Sequence, residues 1–147
     1  MLLLGVKNTA TQAVLTDGII NIGSVYRRYC KKSACGVPAF SRTANDISLQ
    51  HSGIYHLTAT FVASAPTAGT VTVQLNVNGE PVDGAFASET ITTPTTELRT
   101  LVIDYYVLVD KDCILNTEAT VAQTISFENT GDDATFTSVV VNVDKVV

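Results

Sequence analysis

Gly53-Ile54-Tyr55-His56-Leu57-Thr58-Ala59-Thr60-Phe61 is the stretch on which the fold turns. Tyr55, Leu57, Ala59 and Phe61 recur at every second position, and His56, Thr58 and Thr60 occupy the alternate ones. Successive strand side chains point to opposite faces, so a period of two describes a strand with one apolar and one polar side. The pattern repeats beyond it. After a Pro66–Gly69 loop, Val71, Val73, Leu75 and Val77 alternate with Thr72, Gln74 and Asn76. Asn78-Gly79 follows, a dipeptide suited to the positive-φ positions of a two-residue hairpin turn. Glu80–Gly84, with Pro81, leads to a further strand over Ala85–Thr92, and Pro94 ends it.

Leu98–Val109 differs. Leu101, Ile103, Tyr105, Val107 and Val109 share one face, but Val102, Tyr106 and Leu108 make the other face apolar too. A strand in an antiparallel domain normally wets one side. Two apolar sides imply either a second subunit over one of them or a central strand covered by a loop of its own chain. Gln123–Glu128 and Thr135–Val146 complete the strand pattern across the turn cluster Asn129-Thr130-Gly131-Asp132-Asp133. Before residue 44 the signals are weaker, with strands expected over Leu2–Val6, Ile19–Ile22 and Val25–Cys30.

Composition agrees. Thr, Val and Ile number 21, 19 and 9 in 147 residues, so a third of the chain is β-branched, which suits a pleated surface better than a helix. Only 16% of residues are charged, too few for a helical bundle with solvated outer faces, while 46% hydrophobic residues argue against disorder. Eight to ten strands without a linker predict one all-β domain over residues 1–147, an antiparallel sandwich, jelly roll or barrel.

The charge is uneven. Residues 1–43 carry +5, from Lys7, Arg27, Arg28, Lys31, Lys32 and Arg42 against Asp17, and residues 44–147 carry −10, giving the net −5. A basic region on an acidic body can orient the molecule on a charged partner. Nucleic acid is not expected as that partner, since the remaining surface would repel phosphate and no reading motif is present. No run of apolar residues is long enough for a membrane-spanning helix. Met1-Leu2-Leu3-Leu4 is too short for a signal peptide, so synthesis in a reducing cytoplasm with free thiols is the expectation. Cys30 and Cys35 could alternatively close a loop as a disulfide, or join Cys113 or a His at zinc, although the spacing fits no common zinc pattern.

Catalytic parts are missing from the sequence. It contains no Gly-x-Ser-x-Gly elbow, no His-Glu-x-x-His and no phosphate-cradling glycine loop. His51 and His56 are the only imidazoles, and His56 has no carboxylate beside it in sequence, which favours a surface or interface histidine. Asp110/Asp112 and Asp132/Asp133 fall in expected turns, where solvated carboxylates are a simpler reading than weak calcium ligands. No enzyme activity, cofactor or metal is expected.

The stretch Asp46–Leu57, with its Gly-x-Tyr-x-apolar strand, resembles the trimeric jelly rolls typified by tumour necrosis factor and the complement globular heads. Gly69–Ser88, with Val-Gln-Leu-Asn-Val-Asn-Gly and Val-Asp-Gly-Ala, resembles the bacterial and bacteriophage branch of that superfamily. The resemblance is best over residues 45–147 and looser over 1–44, the N-terminal strands and basic segment. It implies a homotrimer about a threefold axis. Tyr55, Leu57 and Phe61 would be core, and His56, Thr58 and Thr60 would turn toward the axis, with Tyr106 covered by the trimer. The collagen-like stalk of spore-surface and complement relatives has no counterpart in this sequence, nor does a heptad stalk.

A head without a stalk suits direct seating on a surface. The resemblance therefore implies a phage capsid decoration protein, made in the bacterial host cytoplasm and carried on the capsid exterior. In that reading Arg27, Arg28, Lys31 and Lys32 contact an acidic surface of the major capsid protein or another virion protein. The alternative is a receptor- or glycan-binding module of a fibre or tail tip, which would use exposed loops against host surface glycans. Few aromatic residues fall in the expected loops, which weakens that alternative.

Overall fold

Period-two patterning becomes twelve strands among the described residues, which are 2–29, 40–110 and 122–146 of the computed structural model. All the pairings are antiparallel. One sheet, A, holds β1 (Leu2–Asn8), β4 (Ser24–Arg28), β7 (Gly53–Ser64), β10 (Arg99–Val109) and β12 (Ala134–Lys145). Their order is β10-β7-β12-β1-β4, and the short β2 (Gln12–Val14) also pairs with β12. The other sheet, B, holds β5 (Phe40–Arg42), β6 (Asp46–Leu49), β8 (Gly69–Val77), β9 (Glu80–Ile91) and β11 (Gln123–Asn129). Its order is β5-β6-β11-β8-β9, with β3 (Gly18–Ile19) paired to β11. Neighbours in each sheet are mostly distant in sequence, as the crossing connections of a jelly roll require.

The two sheets bury their inner faces against each other. Tyr55, Leu57, Ala59, Phe61 and Ala63 of β7 are all fully buried, as are Val71, Val73 and Leu75 of β8 opposite. Phe61 joins the layers, its ring centroid 5.2 Å from Phe127 of β11 and 6.1 Å from Phe136 of β12, both edge-on. Such T-shaped contacts match the positive ring edge to the negative ring face. Tyr55 is buried by its ring while its hydroxyl donates to the His51 carbonyl at 2.7 Å, and burial pushes the phenol pKa up.

Turns follow local chemistry. Asn78 and Gly79 both have positive φ, 54° and 80°, which closes the β8–β9 hairpin between Val77 and Glu80. Residues Glu80–Ile91 form a single strand, where the sequence suggested a separate Pro-containing segment and a strand from Ala85. Continuity is possible because the strand bulges: the register jumps between Gln74 and Asn76, and Gly84 takes a φ of 78°. The Gln74 amide donates to the Val82 and Ala85 carbonyls that the bulge leaves without ladder partners, at 2.8 and 3.3 Å. At the entry to β10, the Glu97 carboxylate accepts the Thr92 and Thr93 amides, and Arg99 pairs with it at 2.9 Å. The Thr92 hydrogen bond is the main cause holding the Glu97 carboxyl below its ordinary pKa.

Cys30, Cys35, Cys113, Lys31, Lys32 and Asp112 lie outside the described residues.

Candidate functional site: the outer face of sheet A

Strand β10 is the edge of sheet A, so a central position does not account for its two apolar sides. Leu101, Ile103, Val107 and Val109 point inward and are buried. Val102, Tyr106 and Leu108 point outward and are 52, 60 and 61% exposed, with Ile54 of β7 beside them. Eleven consecutive pairs join β10 to β7 without a register shift, so these side chains stand on a regular, unbulged surface. An exposed, flat, apolar edge is a place where another chain associates.

Register places the remaining residues of this face in rows. Across the sheet, Asp104, Thr58, Asn142, Gly5 and Arg27 are successive cross-strand partners. One row over stand Tyr106, His56 and Asp144, and on the other side Val102, Thr60, Val140 and Lys7. Directly paired residues share a face. His56, Thr58, Thr60 and Tyr106 thus lie together on the outer side of sheet A, while Tyr55, Leu57 and Phe61 lie behind them in the core.

His56 has a partner that its sequence neighbourhood does not show. Its Nε2 lies 2.6 Å from Oδ1 of Asp104 on the adjacent strand, and its ring stacks on Tyr106 at 4.7 Å and 20°. A carboxylate only accepts hydrogen bonds, so Nε2 carries the proton in this pair. Alternation along β10 was the available signal, because it puts Asp104 between Val102 and Tyr106 on the outer face.

The middle of the face is covered by an aromatic ring. Gly5 has no side chain, and a Cβ there would meet the Tyr26 ring at 2.6–2.8 Å. Tyr26 lies across this gap and donates its hydroxyl to Asn142, while Lys7 Nζ sits 5.5 Å from the ring centroid. Tyr26 can reach over the sheet because β4 carries a register shift opposite Gly5 and Val6.

The same strand separates the expected docking residues. Arg27 pairs with Gly5 and so belongs to the outer face, whereas Arg28 pairs with Leu4, whose side chain is fully buried on the inner side. Both arginines are exposed, but they leave β4 in opposite directions. Asp132 and Asp133 have local roles: Asp132 accepts the Thr70 amide and Asp133 the Thr16 amide, each at 2.9 Å. They fasten the β11–β12 turn to the start of β8 and to the turn between β2 and β3. Among the described residues no three His, Cys, Asp or Glu side chains stand together in a way that could hold a metal ion.

The architecture defines a class: an antiparallel jelly-roll sandwich with an exposed apolar strip along the edge of one outer face. The fold is that of tumour-necrosis-factor-like proteins. The structure of Eiger TNF from S. frugiperda superposes with a TM-score of 0.64 at 9% identity, over 99% of this chain and 93% of that one. Murine APRIL gives 0.60 at 9% identity, over 97% and 98% of the two chains. The PRD1 vertex protein P5 is more distant, at a TM-score of 0.47 and 11% identity over 98% and 96%. At such identities the likeness concerns the fold alone. No protein-family model matches the chain, and no curated protein matches it in sequence.

Gly5→Ala is expected to expel the Tyr26 ring and lower the melting temperature, and Gly5→Ala/Tyr26→Ala to recover part of that loss. Additive losses in thermal melts would show that the ring and the glycine are not coupled.

Proposed function

We propose that the protein is a non-enzymatic structural component of a phage virion, a capsid decoration protein that works as a homotrimer. The observation that carries the reading is the outer face of sheet A. Val102, Tyr106, Leu108 and Ile54 form an exposed apolar strip there, flanked on β7 by the small side chains of Thr58 and Thr60. Large apolar side chains left in water at an edge gain by being covered, at about 25 cal/mol for each Å² removed from solvent. Small neighbours let a second backbone approach. The resemblance of Gly69–Ser88 to phage and bacterial jelly rolls supports the virion assignment, and that of Asp46–Leu57 supports the threefold assembly.

Adhesion, in this reading, is electrostatic. Arg28, Lys31 and Lys32 would dock on an acidic capsid surface, with the apolar strip already covered by the trimer. The protein then contributes cohesion to the shell, and no bond is made or broken.

Native mass measurement of the purified protein at micromolar concentration should give three times the chain mass, and a monomer would overturn the assembly. On particles that carry the protein, alanine at Arg28, Lys31 and Lys32 together should reduce the amount retained and make release by salt easier. Retention indifferent to both would overturn the docking account.

A further inference from the structure

Sheet A ends at β4 on the side opposite β10, and among the described residues β4 pairs with β1 alone. The Tyr29 amide donates to the Leu3 carbonyl at 2.9 Å, so Tyr29 turns its backbone groups toward β1. Alternation along an antiparallel strand then points the N–H and C=O of Arg28 the other way, off the sheet. The register shift leaves Tyr26 out of the ladder, and the regular open stretch begins at Arg27. Cations gather along this edge. Arg27 and Arg28 are exposed and leave the strand on opposite sides, and Lys7 lies across the ladder from Ser24. Arg42 donates from Nη1 to the Gly23 carbonyl at 2.8 Å, just before β4 begins. Neither Arg27 nor Arg28 makes an ion pair among the described residues.

We propose that the open edge of β4 takes up an extended, acidic segment of the capsid partner as an added strand. The inference rests on the docking proposed above and deepens it, from an attraction between charged surfaces to a backbone pairing with a defined kind of sequence. The outward N–H and C=O of Arg28 supply the ladder bonds. Directly opposed residues share a face and consecutive ones alternate, so the segment carries carboxylates at two consecutive positions, one for each arginine. In strand addition the main chain gives affinity and the side chains give specificity. A second copy of this chain is a poor occupant. Its own β4 would set arginine against arginine, and like charges directly opposite disfavour pairing. Its β9 edge carries Glu80, Asp83 and Glu89, but Pro81 has no N–H and the bulge interrupts the strand. The edge is short and holds weakly by itself, and repetition around a trimer multiplies its effect.

Short peptides test this on the full-length protein. A hexapeptide with a central Glu-Asp pair between Thr and Val residues should bind in NMR titrations, shift the Arg27 and Arg28 amide signals most, and slow hydrogen exchange at the Arg28 amide. The same peptide N-methylated at both central amides keeps its charge. It should bind about tenfold more weakly, the loss expected when one or two backbone hydrogen bonds go. A peptide with Lys-Lys at the centre should not bind. Arg27→Glu/Arg28→Glu should reverse the preference, taking the Lys-Lys peptide and refusing the Glu-Asp one, and circular dichroism melts establish that the variant folds.

Equal affinity of the N-methylated peptide would overturn strand addition while leaving electrostatic docking standing. So would exchange at the Arg28 amide that is as fast on particles retaining the protein as in the free protein. Exchange at Arg28 that slows with rising protein concentration alone would assign the edge to a second copy and overturn the proposal too. Particles that retain the folded charge-reversed variant as well as the parent would overturn both the strand addition and the docking on which it rests.

Discussion

Strand β7 is paired along almost its whole length on both sides, to β10 from Gly53 to Ala63 and to β12 from Tyr55 to Ser64. The rest of the molecule depends on that double ladder. With both edges of the strand fixed by hydrogen bonds, a slip of one residue would turn every side chain over at once. Tyr55, Leu57, Ala59 and Phe61 would go into water, and His56, Thr58 and Thr60 into the core. Burial of the first set, with Phe61 against Phe127 and Phe136, therefore holds the register. The register in turn places the second set on the outside, in rows with β10 and β12.

Those rows are what make the outer face more than a collection of exposed residues. Asp104 reaches His56 because β10 runs antiparallel to β7 with Tyr106 opposite His56. Gly5 leaves a gap where Tyr26 can lie because a bulge in β4 gives the strand one extra residue there. The polar Thr side chains are small, and large apolar ones are concentrated on the edge strand. A face built this way has its exposed apolar surface at one edge and polar side chains across the rest.

Much of this was legible in the sequence because it depends on local periodicity. Alternation over Ile54–Phe61 and Val71–Val77 predicts both strands and their buried sides, and Asn78-Gly79 predicts the hairpin through the φ values that its turn needs. Long-range pairing was not legible. Nothing near His56 in sequence announces Asp104, 48 positions away. The exposed side of Leu98–Val109 suggested a covered strand, but only sheet order reveals an edge. Pro81 read as a break in the chain because the carbonyl-capping role of Gln74 cannot be seen without the fold. Arg27 and Arg28 read as one patch because a charge run carries no sign of which way each side chain leaves its strand.

The central claim is that the outer face of sheet A is covered when the protein performs its role. Hydroxyl-radical footprinting, read residue by residue in the assembled protein and in protein dissociated by dilution, tests it most directly. Phe86, 56% exposed on sheet B, provides the internal reference. The account predicts that Tyr106 and Leu108 are protected on assembly while Phe86 reacts equally in both states. Equal reactivity of Tyr106 in the two states, or protection of Phe86 instead, would contradict it.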